Sequence, residues 1–528
     1  MPRIPSILLA LVLGVAPVAA AQTFVNDDPV LRQIWAEGME RSRVYPLSQV
    51  LFDSIGPRLT GTPGHESGND WLVRTYASWG IEAEAEPYGE WMRWRRGKTH
   101  VDLVAPRVRS LEAMMLAWSP GTGGRTVRGA VEALPLFQTQ AEFTRWLPTV
   151  RDKFVALSFP EPTCRPNDNW EEFATEASFE RMRAEREAAG DAWDRRIAAT
   201  GHSSRSLPGA LEAAGAAGVL TSRWSQGWGV QKIFNALTER VPHVDISCED
   251  YGLLVRMSES GQAPTIEVMA DAEFLGVGPV ANVIARIPGT ERPNEYVMMS
   301  AHFDSWDGGS GTTDNGTGTI TMVEAMRILR AVYPNPKRTI LVGHWGGEEQ
   351  GLNGSRGFVA NHPEVVDGLQ SLFNQDNGTG RVVRMSGQGL TAASGYLANW
   401  AGVIPEEIGE HLEFTFPGTP AGGGSDHAAF ICAGAPGFSL GALSWSYGTY
   451  TWHTNRDTFD KIVWDDLRNN ATLTAMLVYL ASEEPEMMPR DRRSTLPTNR
   501  FTGRQMTWPE CSLPRTWEDY SAGARGAN

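Results

Sequence analysis

The 528-residue sequence holds only four cysteines, has no excess of positive charge, and shows no apolar run of membrane-spanning length beyond its N-terminus. Each shortage excludes something. A formal net charge of −15 argues against nucleic acid or an anionic membrane surface as the main partner. With no further stretch of about 18 apolar residues, the mature chain is not expected to be an integral membrane protein. None of Cys164, Cys248, Cys432 and Cys511 stands in a C-x-x-C pair, so no cysteine zinc site is expected. Two catalytic signatures are missing as well. There is no G-x-S-x-G elbow for a serine hydrolase and no H-E-x-x-H for a single-zinc peptidase. No fixed-period repeat is visible.

What is present is a globular chain too long for one hydrophobic core. Its 41% apolar residues and nineteen tryptophans fit a folded protein. The opening "MPRIPSILLALVLGVAPVAAAQTF" has Arg3, an apolar run from Ile7 to Val15 and the small-residue site Ala19-Ala20-Ala21. That layout is a signal peptide over residues 1–21, cut before Gln22, and predicts an exported protein, periplasmic or secreted. In an oxidising compartment the four cysteines allow three pairings. Cys164 with Cys248 and Cys432 with Cys511 is preferred, because it keeps each bridge local.

The pattern along the chain divides it. A helix is predicted over 66–79, closed by Gly80, and a strand over 99–106. Residues 115–272 mix short β-type runs with a charged helix at 179–199, hold no cluster of ligand-type residues, and read as an inserted module. From 276 onward strands and helices alternate. "VANVIARI", "EYVMMSAH" and "RTILVGHW" are near-continuous apolar runs, as in strands buried on both faces. The fold class is therefore α/β, with a largely parallel sheet. The expected domains are 22–114 with 273–484, a β-rich insert at 115–272, and an extended tail at 485–528. An amphipathic helix is predicted over 464–482.

The stretch "AHFDSWDGGSGTTDNGTG" at 301–318 places His302, Asp304, Asp307 and Asp314 in a loop with little to bury. A phosphate loop fails, because no lysine follows the glycines and aspartates repel phosphate. Metal ions would explain the charge. Glu348 and Glu349 follow a second strand pattern, Asp376 a third, and His453 lies in a later loop. Strand carboxyl ends in open α/β sheets converge on one crevice. A pair of cations about 3.5–4 Å apart needs a bridging carboxylate, further N or O ligands and a base, and these residues supply that set. No ligand role is assigned to His344, His362 or His411.

Five ordered motifs, "HFDSWDGGSGTTDNGTG", "WGGEEQGLNGSRGF", "NQDNGTG", "GGSDHAAF" and "WHTNRDT", together with "IGPRLTGTPG", resemble the co-catalytic di-zinc exopeptidases, the family of zinc aminopeptidases and plasma glutamate carboxypeptidase. The resemblance covers most of 45–482. It implies two zinc ions per chain, a mixed, largely parallel sheet flanked by helices, and a protease-associated domain as the insert. It implies Asp314 as the bridge, His302 and Asp376 on one ion, and Glu349 and His453 on the other. Asp304 is implied as the carboxylate orienting the His302 ring. Glu348 is implied as the base that deprotonates the attacking water and returns the proton to the leaving amine. Ser425, Asp426 and His427 match a segment near the substrate. Where some relatives carry a tyrosine before the last histidine ligand, this chain has Trp452, leaving Tyr447 or Tyr450 as candidate replacements.

The implied activity is hydrolysis of short peptides, as an aminopeptidase or dipeptidase. Three rivals remain: a carboxypeptidase using Arg356, Arg381 or Arg456, a glutaminyl-cyclase-like transferase, and a metal-free binding relative. The resemblance also implies a homodimer.

Overall fold

The computed structural model describes residues 24–25 and 27–524; the expected signal peptide lies outside them. The main strands, in chain order, begin with β1 (Glu82–Ala105), β2 (Ala113–Met115), β3 (Val127–Ala133) and β4 (Phe154–Ala156). They continue with β5 (Gly218–Thr221), β6 (His243–Ile246), β7 (Thr265–Ile287) and β8 (Arg292–His302), and end with β9 (Arg338–Trp345), β10 (Leu369–Asn374) and β11 (Gly437–Ser439). Their order across the sheet is β11-β10-β8-β9-β7-β3-β4-β5-β6-β2, with β1 paired to β7.

Strands β11, β10, β8 and β9 run parallel, as the apolar runs predict. All eight residues of β9 and all six of β10 are buried, so their hydrophobic pattern has no reason to alternate. The β7 strand joins antiparallel to β9 at one end and to β3 at the other. Along its length it pairs with β1, from Glu82 opposite Arg286 to Ala105 opposite Thr265. This double ladder joins the β11-β10-β8-β9 strands to a second parallel run, β3-β4-β5-β6, built by 115–272. The junction expected at 272–273 thus falls inside a strand, and the predicted strand at 99–106 is the end of β1.

Helix α1 (Pro63–Ser78) matches the first predicted helix, capped by Thr62, whose hydroxyl accepts from the His65 amide. Helix α2 (Glu176–Ala198) is mostly solvated and buries Met182, Trp193 and Ile197. Beneath the parallel strands lie α3 (Thr317–Val332) and, later in the chain, α5 (Trp464–Glu483), with α4 (His427–Cys432) between them in sequence. The expectation of an amphipathic α5 is corrected: nearly every residue from Leu467 to Ser482 is buried. Its polar residues are not a solvent face but anchors. Asn470 accepts from the Val382 amide at 2.8 Å and donates to the Gly380 carbonyl at 2.9 Å.

Both disulfides, Cys164–Cys248 and Cys432–Cys511, pair as the locality argument preferred. Residues 485–516 hold no helix or extended strand, but the tail then forms α6 (Trp517–Ala524), which was not expected. Only two aromatic side chains seat it. Trp517 and Tyr520 lie 5.6 and 5.2 Å, centroid to centroid, from Trp91, and 5.4 and 6.0 Å from Trp118. So short a helix, held by long-range contacts, leaves almost no period in the sequence.

Candidate metal centre

His302 ends β8, Glu348 and Glu349 follow β9, and Asp376 follows β10, so three neighbouring parallel strands deliver their carboxyl ends to one crevice. Asp314 enters from the loop after β8, ahead of a cis peptide to Asn315, and His453 from the loop before α5. His302 Nε2 stands 3.2 Å from Asp376 Oδ1 and 3.4 Å from Asp314 Oδ1. His453 Nε2 stands 3.1 Å from Asp314 Oδ2 and 2.9 Å from Glu349 Oε2. Two ligand sets result, His302–Asp314–Asp376 and Asp314–Glu349–His453, and Asp314 belongs to both.

The surrounding loops are fixed by groups that donate to, or accept from, main chain. The buried Arg58 guanidinium donates to the carbonyls of Phe303, Gly56, Ser310 and Gly311 at 2.8–2.9 Å, clamping the loop that carries Asp314. From the other side the buried Asp457 carboxylate accepts from the Thr313 amide at 2.8 Å and the Asp314 amide at 3.1 Å. Arg96 holds Asp307 through two contacts of 2.7 Å, so this acid of the 301–318 loop is spent on an ion pair.

Asp304 acts differently from expectation. The His302 Nδ1 partner is its main-chain carbonyl at 2.9 Å, while its carboxylate lies 3.7 Å away. That carboxylate instead accepts from the amides of Glu348 (3.1 Å) and Glu349 (3.3 Å) and from Thr60 Oγ1 (3.2 Å). One residue thereby aims the imidazole and fixes the turn bearing both glutamates.

The electrostatics call for positive charge. Burial pushes Glu348 well above the carboxylate range, and Asp376, Asp426 and Glu349 add to this against the pull of His302. Burial opposes a charged ring at His302, yet Asp376, Glu348 and Asp314 push its pKa well up. At His453 burial is likewise outweighed, by Glu349 and Asp314, which raise it to about 10. Asp314 is held far below its usual range by the two imidazoles, despite burial. Buried acids in this number need cations. Glu349 Oε1 and Asp314 Oδ2 are buried without a hydrogen bond, as lone pairs reserved for an ion would be. An imidazole and carboxylate donor set fits zinc.

Ser425, Asp426 and His427 sit at the start of α4, beside the cluster. A chain of hydrogen bonds from Ser300 Oγ to Asn374 Oδ1 (2.7 Å) and from Asn374 Nδ2 to Ser425 Oγ (2.8 Å) ties this turn to the strand ends. Neither Asp426 oxygen has a hydrogen bond of ordinary geometry, and burial raises its pKa, with Asp376 and Asp304 contributing. His427 is kept neutral by burial, down to about 4, against Asp376. Tyr450 is not in the cluster: its hydroxyl donates to Asp168 Oδ2 at 2.9 Å. Tyr447 is the tyrosine that reaches Asp314, and burial together with Asp314, Asp376 and Glu349 keeps its phenol protonated. Sequence reasoning gave no role to Arg58 or Asp457. Their signals were an arginine inside the Gly/Pro turn "IGPRLTG" and an acid four residues past His453.

The chain is similar to known proteins in sequence and in fold. Residues 282–478 match the family model of peptidase family M28. Carboxypeptidase Q of Bos taurus is 25% identical over 456 residues, which span 86% of this chain and 88% of that one. The crystal structure of a peptidase M28 precursor from Shewanella amazonensis superposes with a TM-score of 0.63 at 22% identity, covering 88% of this chain and 98% of that one. BSAP, a zinc aminopeptidase from Bacillus subtilis, superposes at 0.53 with 18% identity, covering 85% and 96%. The match to peptidase family M28 spans the residues whose ordered motifs converge at the strand ends.

Proposed function

We propose that the chain is an exported zinc exopeptidase that cleaves short peptides from a free amino end, as an aminopeptidase or dipeptidase. The observation that carries this reading is the sharing of Asp314 between two buried ligand sets. His302 and Asp376 would hold one zinc, Glu349 and His453 the other, and Asp314 both. Bound there, the ions supply Lewis-acid polarisation of the scissile carbonyl and a lowered pKa for the attacking water. The protein's own part is positional. Glu348, on the turn fixed by Asp304, takes the proton from that water and hands it to the leaving amine. The buried Asp426 carboxylate, which no cation of the chain neutralises by an ion pair among the described residues, suits the substrate's ammonium group, which favours amino-end cleavage. Tyr447, rather than Tyr450, stands where a phenol can donate to the charge developing on the carbonyl oxygen. The two disulfides fit an oxidising compartment.

Matched dipeptides and tripeptides with free and acetylated N-termini, assayed by mass spectrometry with and without chelator, test the reading. Cleavage of only the free-amine set, abolished by chelator and restored by zinc, is expected. Cleavage of the acetylated set at equal rate would remove the amino-end assignment.

A further inference from the structure

A second cavity shares a wall with the ligand cluster and is lined by three arginines. It measures about 520 Å3 and lies between the 115–272 region and α6, with Arg205, Arg223 and Arg515 around Phe234 and Tyr520. Phe234 is the shared wall. Its ring centroid lies 5.0 Å from that of His453, and the Arg223 guanidinium stands 5.1 Å from the same centroid on the cavity side. Arg515 borders Gly351, two residues beyond Glu349, and its amide donates to Asn353 Oδ1 at 2.9 Å.

These guanidinium groups form no ion pair among the described residues. Arg205 reaches only the Gly523 carbonyl, at 3.4 Å. Asp245 favours the charge of Arg223 from a distance, but its oxygens are taken by Thr221, Gln231 and the Arg223 amide. The one carboxylate lining the cavity, Asp519, accepts from the Thr516 hydroxyl at 3.0 Å. Three planar donor forks, one of them partly buried, gathered around a single carboxylate that pairs with none of them, match a carboxylate ligand.

We propose that this cavity receives a carboxylate of the peptide substrate, one or two residues from the scissile bond. The placement follows from reach. An extended chain advances about 3.3–3.6 Å per residue, and one phenyl ring separates the cavity from His453. The inference rests on the exopeptidase reading and gives it a substrate class: short peptides whose α-carboxylate or acidic side chain enters between the insert and α6. The tail helix, held by Cys432–Cys511, then serves as a wall of the substrate site.

Three substrates separate the sources: Ala-Ala, its C-terminal amide, and Ala-Glu amide, each given to the zinc-loaded full chain. Arg205 and Arg515 are exposed, so Arg205→Gln and Arg515→Gln carry the test without endangering the fold. The wild type should cleave at least one carboxylate substrate, Ala-Ala or Ala-Glu amide, tenfold or more faster in kcat/KM than Ala-Ala amide, and each variant should cut that ratio by about tenfold. Recovery of the rate with Ala-Glu amide identifies a side-chain carboxylate; a rate as low as that of Ala-Ala amide identifies the α-carboxylate. Equal, chelator-sensitive cleavage of all three substrates would overturn the inference while leaving the peptidase reading intact. If no peptide is cleaved, calorimetry decides the cavity alone, by titrating N-acetylglycine against N-acetylglycinamide. Preference for the acid that Arg515→Gln removes upholds it, and no preference overturns it.

Discussion

Glu348 and Glu349 are adjacent in the chain and opposite in task. The Asp304 carboxylate receives both of their amides, so the turn is rigid, and the side chains diverge: Glu349 toward His453, Glu348 toward the His302 side. Glu348→Gln keeps the shape and removes the base. It should lower kcat by 10²–10⁴-fold, in order of magnitude, while zinc per chain stays at the wild-type value by elemental analysis. Loss of zinc in this variant would make Glu348 a ligand instead. Arg58 presents the opposite case, a residue with no chemistry and a large structural share. Arg58→Met leaves four carbonyls, two of them fully buried, without their donor and should cost about 3 kcal/mol in urea unfolding. A change below about 0.5 kcal/mol would mean that water replaces the guanidinium. At this scale His302, Glu349 and Asp376 were legible because each follows an apolar strand run, and Asp314 and His453 through the motifs around them. The partners of Asp304 and Arg58 were not, since main-chain acceptors and donors carry no letter in a sequence.

Among elements, β1 is tied to the segment after β9 by His362, whose Nε2 lies 2.9 Å from Glu86 and Nδ1 3.2 Å from Glu364. Burial opposes the charged ring, but hydrogen bonds and attraction from Glu86 and Glu364 raise its pKa above the ordinary value. A raised folded-state pKa makes protonation stabilising. The contribution is complete below the unfolded histidine value, about 6.5, and fades as pH rises through the folded one. The wild type should therefore lose stability relative to His362→Gln as pH rises above about 6.5, read as converging Tm values. Parallel curves over that range would show that the ring titrates alike in both states. This histidine looked inert in sequence, and for catalysis it is. The parallel strands were legible from their unbroken apolar runs, whereas α5 was misread because its Asn and Thr residues resemble a wet face. Asn470 is buried because it bonds the Val382 amide and the Gly380 carbonyl, and Thr472 because its hydroxyl bonds the Arg468 carbonyl of its own helix.

For the whole molecule, the question is why a tail without regular structure from 485 to 516 returns to wall a substrate site. The Cys432–Cys511 bridge supplies the reason, fixing the chain six residues before α6 across a sequence separation of 79. Its pairing was legible from spacing and compartment; the helix it delivers was not, because Trp517 and Tyr520 gain their partners only once β1 and the 115–119 segment are in place. A closed loop of that size stabilises by about 4 kcal/mol through the unfolded chain. The paired substitution Cys432→Ser with Cys511→Ser should lower stability by a comparable amount. Its more telling effect is local, since α6 keeps only its aromatic seat and a few hydrogen bonds. Trypsin should then cut the native variant after Arg504 or Arg515 much faster than the wild type, with the catalytic sheet intact. If both proteins resist cleavage equally, the aromatic seat alone holds the helix, and the bridge acts only on the unfolded chain.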